Sequence, residues 1–145
     1  MVLAVSTSVE YRFWQVGSWL SLLRLAREPG DDVPGAMAFS PDGKLFAGTY
    51  NRNVVHLYDA YTGDQLASFE PIGAQEVTAL AFDPHGGRLA VCEGPSAVRV
   101  WDLQEIRNEL ARIGLNWRDT AVPIATNSLK ARGLSQEGTS GAVEP

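Results

Sequence analysis

The chain has 145 residues, 45% apolar and 20% charged, a composition that suits one core-forming globular domain and excludes disorder throughout. Its formal charge is −5, from 12 Lys and Arg against 17 Asp and Glu, and no basic run offers the footprint that a nucleic-acid backbone demands. One cysteine and two histidines exclude a disulfide framework and a zinc module, and no apolar run reaches the roughly 18 residues of a membrane span, so a cytoplasmic chain without nucleic-acid or membrane partners is expected.

In chain order, residues 3–7, 11–16 and a segment from Leu20 read as three short strands. Residues 37–39 form the next strand, and Ser40, Pro41, Asp42 and Gly43 then supply the chemistry of a type I turn, Pro for its fixed φ and Gly at the exit. Strands follow at 45–50, 54–58 and 65–69, separated by the turns 51–53 and 60–64. The same succession returns at 77–82, 89–93 and 98–101, with turns at 83–87 and 94–96. After Asp102 the period changes. Leu103, Ile106, Leu110 and Ile113 fall on one helical face, Asp102 is placed to cap its start with Glu105 three residues on, and Gly114 suits its end. This short helix is expected to lay its apolar stripe on the flank of the sheets, extended by Leu115 and Trp117.

The succession is a repeat. Ala38-Phe39-Ser40-Pro41-Asp42-Gly43-Lys44-Leu45-Phe46-Ala47 is answered 43 residues later by Ala81-Phe82-Asp83-Pro84-His85-Gly86-Gly87-Arg88-Leu89-Ala90, and residues 54–59 by 97–102 at the same offset. A partial copy opens the chain, placing Trp14, Tyr58 and Trp101 at one repeat position, with Asp59 and Asp102 after the last two and Gly43 and Gly86 in matching turns. Four antiparallel strands per roughly 43 residues make a β-propeller blade. The expected fold is therefore all-β, a partial propeller of about two and a half four-stranded blades with a short C-terminal helix. Its units are a partial blade at 1–27, a blade at 36–70, an incomplete blade at 77–102, a helix and Trp-containing cap at 103–118 and a disordered tail at 119–145.

These residues resemble the WD-repeat family over about residues 2–103, through Ser40-Pro41-Asp42-Gly43, the strand ends Tyr58-Asp59 and Trp101-Asp102, and Thr62-Gly63. Residues 10–19 together with 98–107, Leu110 and 114–117 further resemble the C-terminal end of bacterial WD-repeat proteins of the planctomycete kind, often fused to serine/threonine protein kinases. The resemblance implies a protein-binding scaffold. It also departs from the family: Arg52 and Pro95 stand where a turn Asp is common, and no Gly-His pair precedes the blades. Without that polar lock, apolar packing between sheets is expected to hold the blades together, at roughly 25 cal/mol per Å².

Candidate chemistry is sparse. His56 falls mid-strand where the next unit has Arg99, His85 replaces Asp42 in a turn, and Cys92 replaces Thr49, where a small buried side chain is expected. Neither histidine is accompanied by the partners of a triad, and the adjacent acids Asp31 and Asp32 point apart, as solvated loop charges do. No catalytic, cofactor-binding or metal-binding residue is therefore nominated, and no enzyme is expected. The partner-facing candidates are turns of one rim, Asn51, Arg52, Asn53, Pro95 and Ser96, with the loops near Asp31–Asp32 and residues 73–75. A non-catalytic protein–protein scaffold is the reading; the alternatives are a docking segment of a WD-repeat kinase whose catalytic domain lies elsewhere, and a lactonase-like propeller hydrolase. Since a ring takes about four to eight blades, a C-terminal fragment of a larger propeller or a homo-oligomer completing one is expected.

Overall fold

The structure is a computed structural model that describes residues 1–29, 32–70 and 75–114. Ten strands and one helix follow one another: β1 (Val2–Ser6), β2 (Glu10–Gln15), β3 (Ser21–Ala26), β4 (Met37–Phe39), β5 (Leu45–Thr49), β6 (Val55–Asp59), β7 (Gln65–Phe69), β8 (Val77–Phe82), β9 (Arg88–Glu93), β10 (Ala97–Asp102) and α1 (Leu103–Arg112). They form three antiparallel sheets, β1-β2-β3, β4-β5-β6-β7 and β10-β9-β8, each made of chain neighbours. The fold is all-β, a partial propeller with one short helix.

The repeat seen in the sequence is a repeat of register. Leu3 faces Trp14, Phe46 faces Tyr58 and Leu89 faces Trp101, so the three aromatic positions occupy one place in three sheets. Even the irregularity recurs, since the pairing slips at Phe13/Trp14 in one sheet and at Leu57/Tyr58 in the next. Gly43 and Gly86 turn the hairpins with φ of 71° and 73°, a left-handed conformation that glycine adopts without a Cβ clash.

Alternation along the strands gives each sheet two apolar faces, and the faces meet in two joints. At the first, Tyr11, Phe13 and Leu25 pack against Phe46 and Tyr58. Phe46 presents edge-on geometry to Tyr11 at 5.1 Å and to Phe13 at 4.8 Å, contacts worth about 0.5–1.5 kcal/mol each beyond burial. Gly48 admits this packing, because a Cβ there would lie 2.8 Å from the Tyr11 ring. At the second joint, Ala47, Val55 and Leu57 pack against Val77, Leu89, Val91 and Leu103.

The helix joins the second core through buried Leu103 and half-buried Ile106 and Leu110. Asp102 caps it, its Oδ1 accepting from the N–H groups of Gln104 and Glu105 at 3.0 Å each. Ile113, expected on the packed face, is exposed because it falls at the C-cap, where the helical path ends before Gly114 at φ 78°. Leu115 and Trp117 of the expected cap, and the expected tail at 119–145, lie outside the described residues.

Candidate functional site

Because every pairing is antiparallel, the connections β1–β2, β3–β4, β5–β6, β7–β8 and β9–β10 share one rim. On it lie the turns 50–54 and 94–96 and the described parts of the loops 27–36 and 70–76. Its backbone is tied from sheet to sheet. Glu28 N–H donates to Tyr50 O at 2.9 Å and Val77 N–H to Arg52 O at 2.7 Å, and within the third sheet Gly94 N–H donates to Glu76 O at 2.8 Å. Asn51 organises its own turn, its Oδ1 accepting from Asn53 N–H and Val54 N–H at 3.1 and 2.9 Å, while its Nδ2 donates to Glu28 Oε2 at 2.6 Å. Arg52, Pro95 and Ser96 are exposed, whereas Asn51 and Asn53 are half-buried. Asp31, Gly73 and Ala74 lie outside the described residues; Asp32 and Gln75 are exposed.

Beneath this rim the structure holds a polar network that repeat reasoning missed. Buried Tyr11 donates from its hydroxyl toward Ala36 O and Thr49 O, both at 2.9 Å, and lies 3.2 Å from Thr49 Oγ1. Buried Arg27 donates from Nε to Thr49 O at 2.9 Å and from Nη1 to Thr7 O and Val33 O at 2.8 and 2.9 Å. Four carbonyls from both sheets and the loop between them are thereby satisfied out of water. The expectation that apolar packing alone locks the blades is corrected: hydroxyl and guanidinium donors stitch the first sheet to the second. The one sequence signal was Tyr11 standing where the later units have Val55 and Val98. Arg27 belongs to no repeated position. Burial pushes the Tyr11 hydroxyl above its ordinary range against the lowering effect of Thr49, so it remains a donor at neutral pH.

His56 is half-buried and stacks on Tyr50 at 4.6 Å, with Nδ1 3.0 Å from the Tyr58 hydroxyl. Burial holds its pKa below 6.5, and burial followed by Tyr11 and Tyr50 pushes Tyr58 up to about 12. The cluster is inter-sheet packing, with no carboxylate or thiol in contact to give it acid–base partners. At the matching place in the third sheet Arg99 Nε donates to buried Glu93 at 2.8 Å. Trp101 lies 4.6 Å from Phe69 across the second joint, and buried Asp59 accepts from Tyr61 and Thr62 N–H groups in its turn. Trp14 is half-buried.

Cys92 is half-exposed, which corrects the expectation of burial. Its counterpart Thr49 is covered by the network above, while the same face of the third sheet, with Val98 and Val100, is exposed among the described residues. At the opposite rim, a cleft of about 620 Å³ lies between the first two sheets, floored by Phe13, Leu23 and Phe39 and flanked by Tyr61. Among the described residues its lining carries no carboxylate, imidazole or thiol, and Tyr61 supplies a phenol at its edge. Among the described residues no group of three or more His, Cys, Asp or Glu is placed to hold a metal ion, and no helix is long and apolar enough to cross a membrane.

Residues 63–102 match the family model of the WD domain, G-beta repeat. This stretch is similar to a WD repeat. It takes β7 from the second sheet and β8, β9 and β10 from the third, so one such repeat of sequence bridges two sheets of structure. The chain is 30% identical over 106 residues to pre-mRNA-processing factor 19 homolog 2 of Arabidopsis thaliana, covering 72% of this chain and 20% of that protein. It is 34% identical over 107 residues to the target of rapamycin complex subunit wat1 of Schizosaccharomyces pombe, covering 71% and 33%. With Topless-related protein 1 of Arabidopsis thaliana it shares 29% over 124 residues, 70% of this chain and 11% of that one. Together these matches support a WD-repeat family for the chain, which spans 33% or less of the length of the three relatives.

Proposed function

We propose that the chain is a non-catalytic protein-interaction scaffold, and that a protein partner is bound by the rim carrying Arg52, Pro95 and Ser96. The observation that carries this reading is the contrast on that rim between tethered backbone and exposed side chains. The turn at Arg52 is tied to the neighbouring sheet and the turn at Pro95 and Ser96 to its own sheet, while these three side chains reach solvent, so contact residues are presented with little ordering cost. WD-repeat likeness points the same way. A photo-crosslinking residue at Ser96 should capture a discrete protein, and one at Lys44 on the far rim should not. Purified partner should bind the chain and lose at least about tenfold in affinity to Arg52→Glu with Ser96→Glu, at unchanged melting temperature. Binding indifferent to those changes, or turnover of substrate by the purified chain, refutes the reading.

The kinase-docking alternative rests on the resemblance of residues 10–19, 98–107, Leu110 and 114–117 alone. Coding sequence immediately upstream decides it, since this alternative needs a kinase domain and further repeats there. Completion of the propeller by another copy of the chain belongs to the scaffold reading as a second kind of contact.

A further inference from the structure

The two ends of the stack expose the two halves of a joint that the chain already makes inside itself. Register places Tyr11, Val55 and Val98 at one repeat position and Phe13, Leu57 and Val100 at another, all facing the following sheet. The first two of each set are 0–1% exposed, whereas Val98 is 66% and Val100 57% exposed. Facing the preceding sheet, Leu3 and Val5 match Leu89 and Val91. The latter pair is fully buried and the former are both 41% exposed. The helix does not cover the open end, because Leu103, Ile106 and Leu110 pack into the second joint on the other face of the third sheet.

We infer that a second copy of this chain docks head to tail, its Leu3 and Val5 face seated on the Val98 and Val100 face. This rests on the scaffold reading and names the partner of its second contact. The choice of occupant comes from chemistry within the chain. The second internal joint sets Val55 and Leu57 against Leu89 and Val91, and the new joint sets Val98 and Val100 against Leu3 and Val5. At these four positions the residue classes are the same, so the contact continues the pattern of an existing interface, without counterparts to the β7 and β8 residues, Phe69 and Val77 among them, that complete the internal joint. Of the charges nearby, Arg12 is paired with Glu10 and Arg88 with Asp102 at 3.8 Å, while exposed Arg24 stands beside Arg12 on the face of Leu3 and Val5. A head-to-tail contact either closes a ring or runs on as a filament. Two copies of three sheets give six, inside the range of about four to eight blades at which such rings close.

Light scattering on the full chain at micromolar concentration tests this, together with two variants altered only at exposed residues. Wild type should have the mass of two chains. Val98→Asp/Val100→Asp and Leu3→Asp/Val5→Asp should each have the mass of one chain, with wild-type circular dichroism. Mixed equally, they should regain a two-chain species, because each supplies the intact face the other lacks. Should a variant fail to fold, maleimide labelling of wild-type Cys92 replaces it, with labelling expected to slow at least about tenfold from dilute to concentrated protein. Single-chain mass for wild type, an open polymer, blocked variants that still pair, a mixture that stays single, or concentration-independent labelling overturns the inference. Such a failure leaves the rim reading standing, since Arg52 and Ser96 lie at the turns and their partner assay is separate.

Discussion

Val55 and Val98 are the same residue at the same repeat position, Val55 sealed between two sheets on a strand paired on both sides and Val98 exposed on an edge strand, and Val→Ala at each compares a covered place with an open one. Both substitutions remove two carbons and lower strand preference by up to about 1 kcal/mol, a term that differs between the central strand β6 and the edge strand β10 and so cancels only in part. At Val55 the lost transfer energy is about 0.8 kcal/mol per carbon, or ~1.6 kcal/mol. A cavity of roughly 50 Å³ that fails to collapse adds ~1 kcal/mol at about 24 cal/mol per Å³. Val98 in a single chain loses contact with water and little else, within about 0.5 kcal/mol. The difference is then about 2 kcal/mol. Urea unfolding, at concentrations low enough to keep chains single, should place the Val55→Ala midpoint about 1 M below that of Val98→Ala for a slope near 2 kcal/mol per M. Equal midpoints would refute the claim that burial between sheets, and not strand identity, sets the energetics.

Tyr11→Phe should destabilise by about 1–3 kcal/mol in the same assay, because Arg27 Nε still serves Thr49 O and Thr49 N–H still serves Ala36 O, while the buried Thr49 hydroxyl loses its contact with Tyr11. Asp102→Ala should cost about 1 kcal/mol through the helix cap and reduce helical circular dichroism, with the solvent-exposed Arg88 pairing adding little. Stability should fall as pH drops through 6.5, since burial keeps His56 neutral below its ordinary value while the unfolded chain takes up the proton; the loss levels off once pH passes the lower folded value. His56→Gln should flatten that interval in melting temperature, and Asp42 and Asp83, both held below 3.8 by hydrogen bonds, should contribute only at lower pH.

Sequence alone determined the strands, their order and the register class of each residue. Period-2 alternation, Pro-Asp-Gly turn chemistry and a 43-residue echo are local signals, and Phe46 with Tyr58 or Leu89 with Trp101 follow from them once the hairpins close. The candidate rim was legible for the same reason, because in an antiparallel meander alternate turns must share an end. Tertiary structure decided what meets what. Arg27 lies outside the repeat, and only folding brings its guanidinium to Thr7, Val33 and Thr49 carbonyls separated along the chain. Val55 and Val98 are indistinguishable by type, position and pattern, yet one is sealed and the other open. Coverage is a property of the neighbouring sheet, which the strand's own residues do not encode.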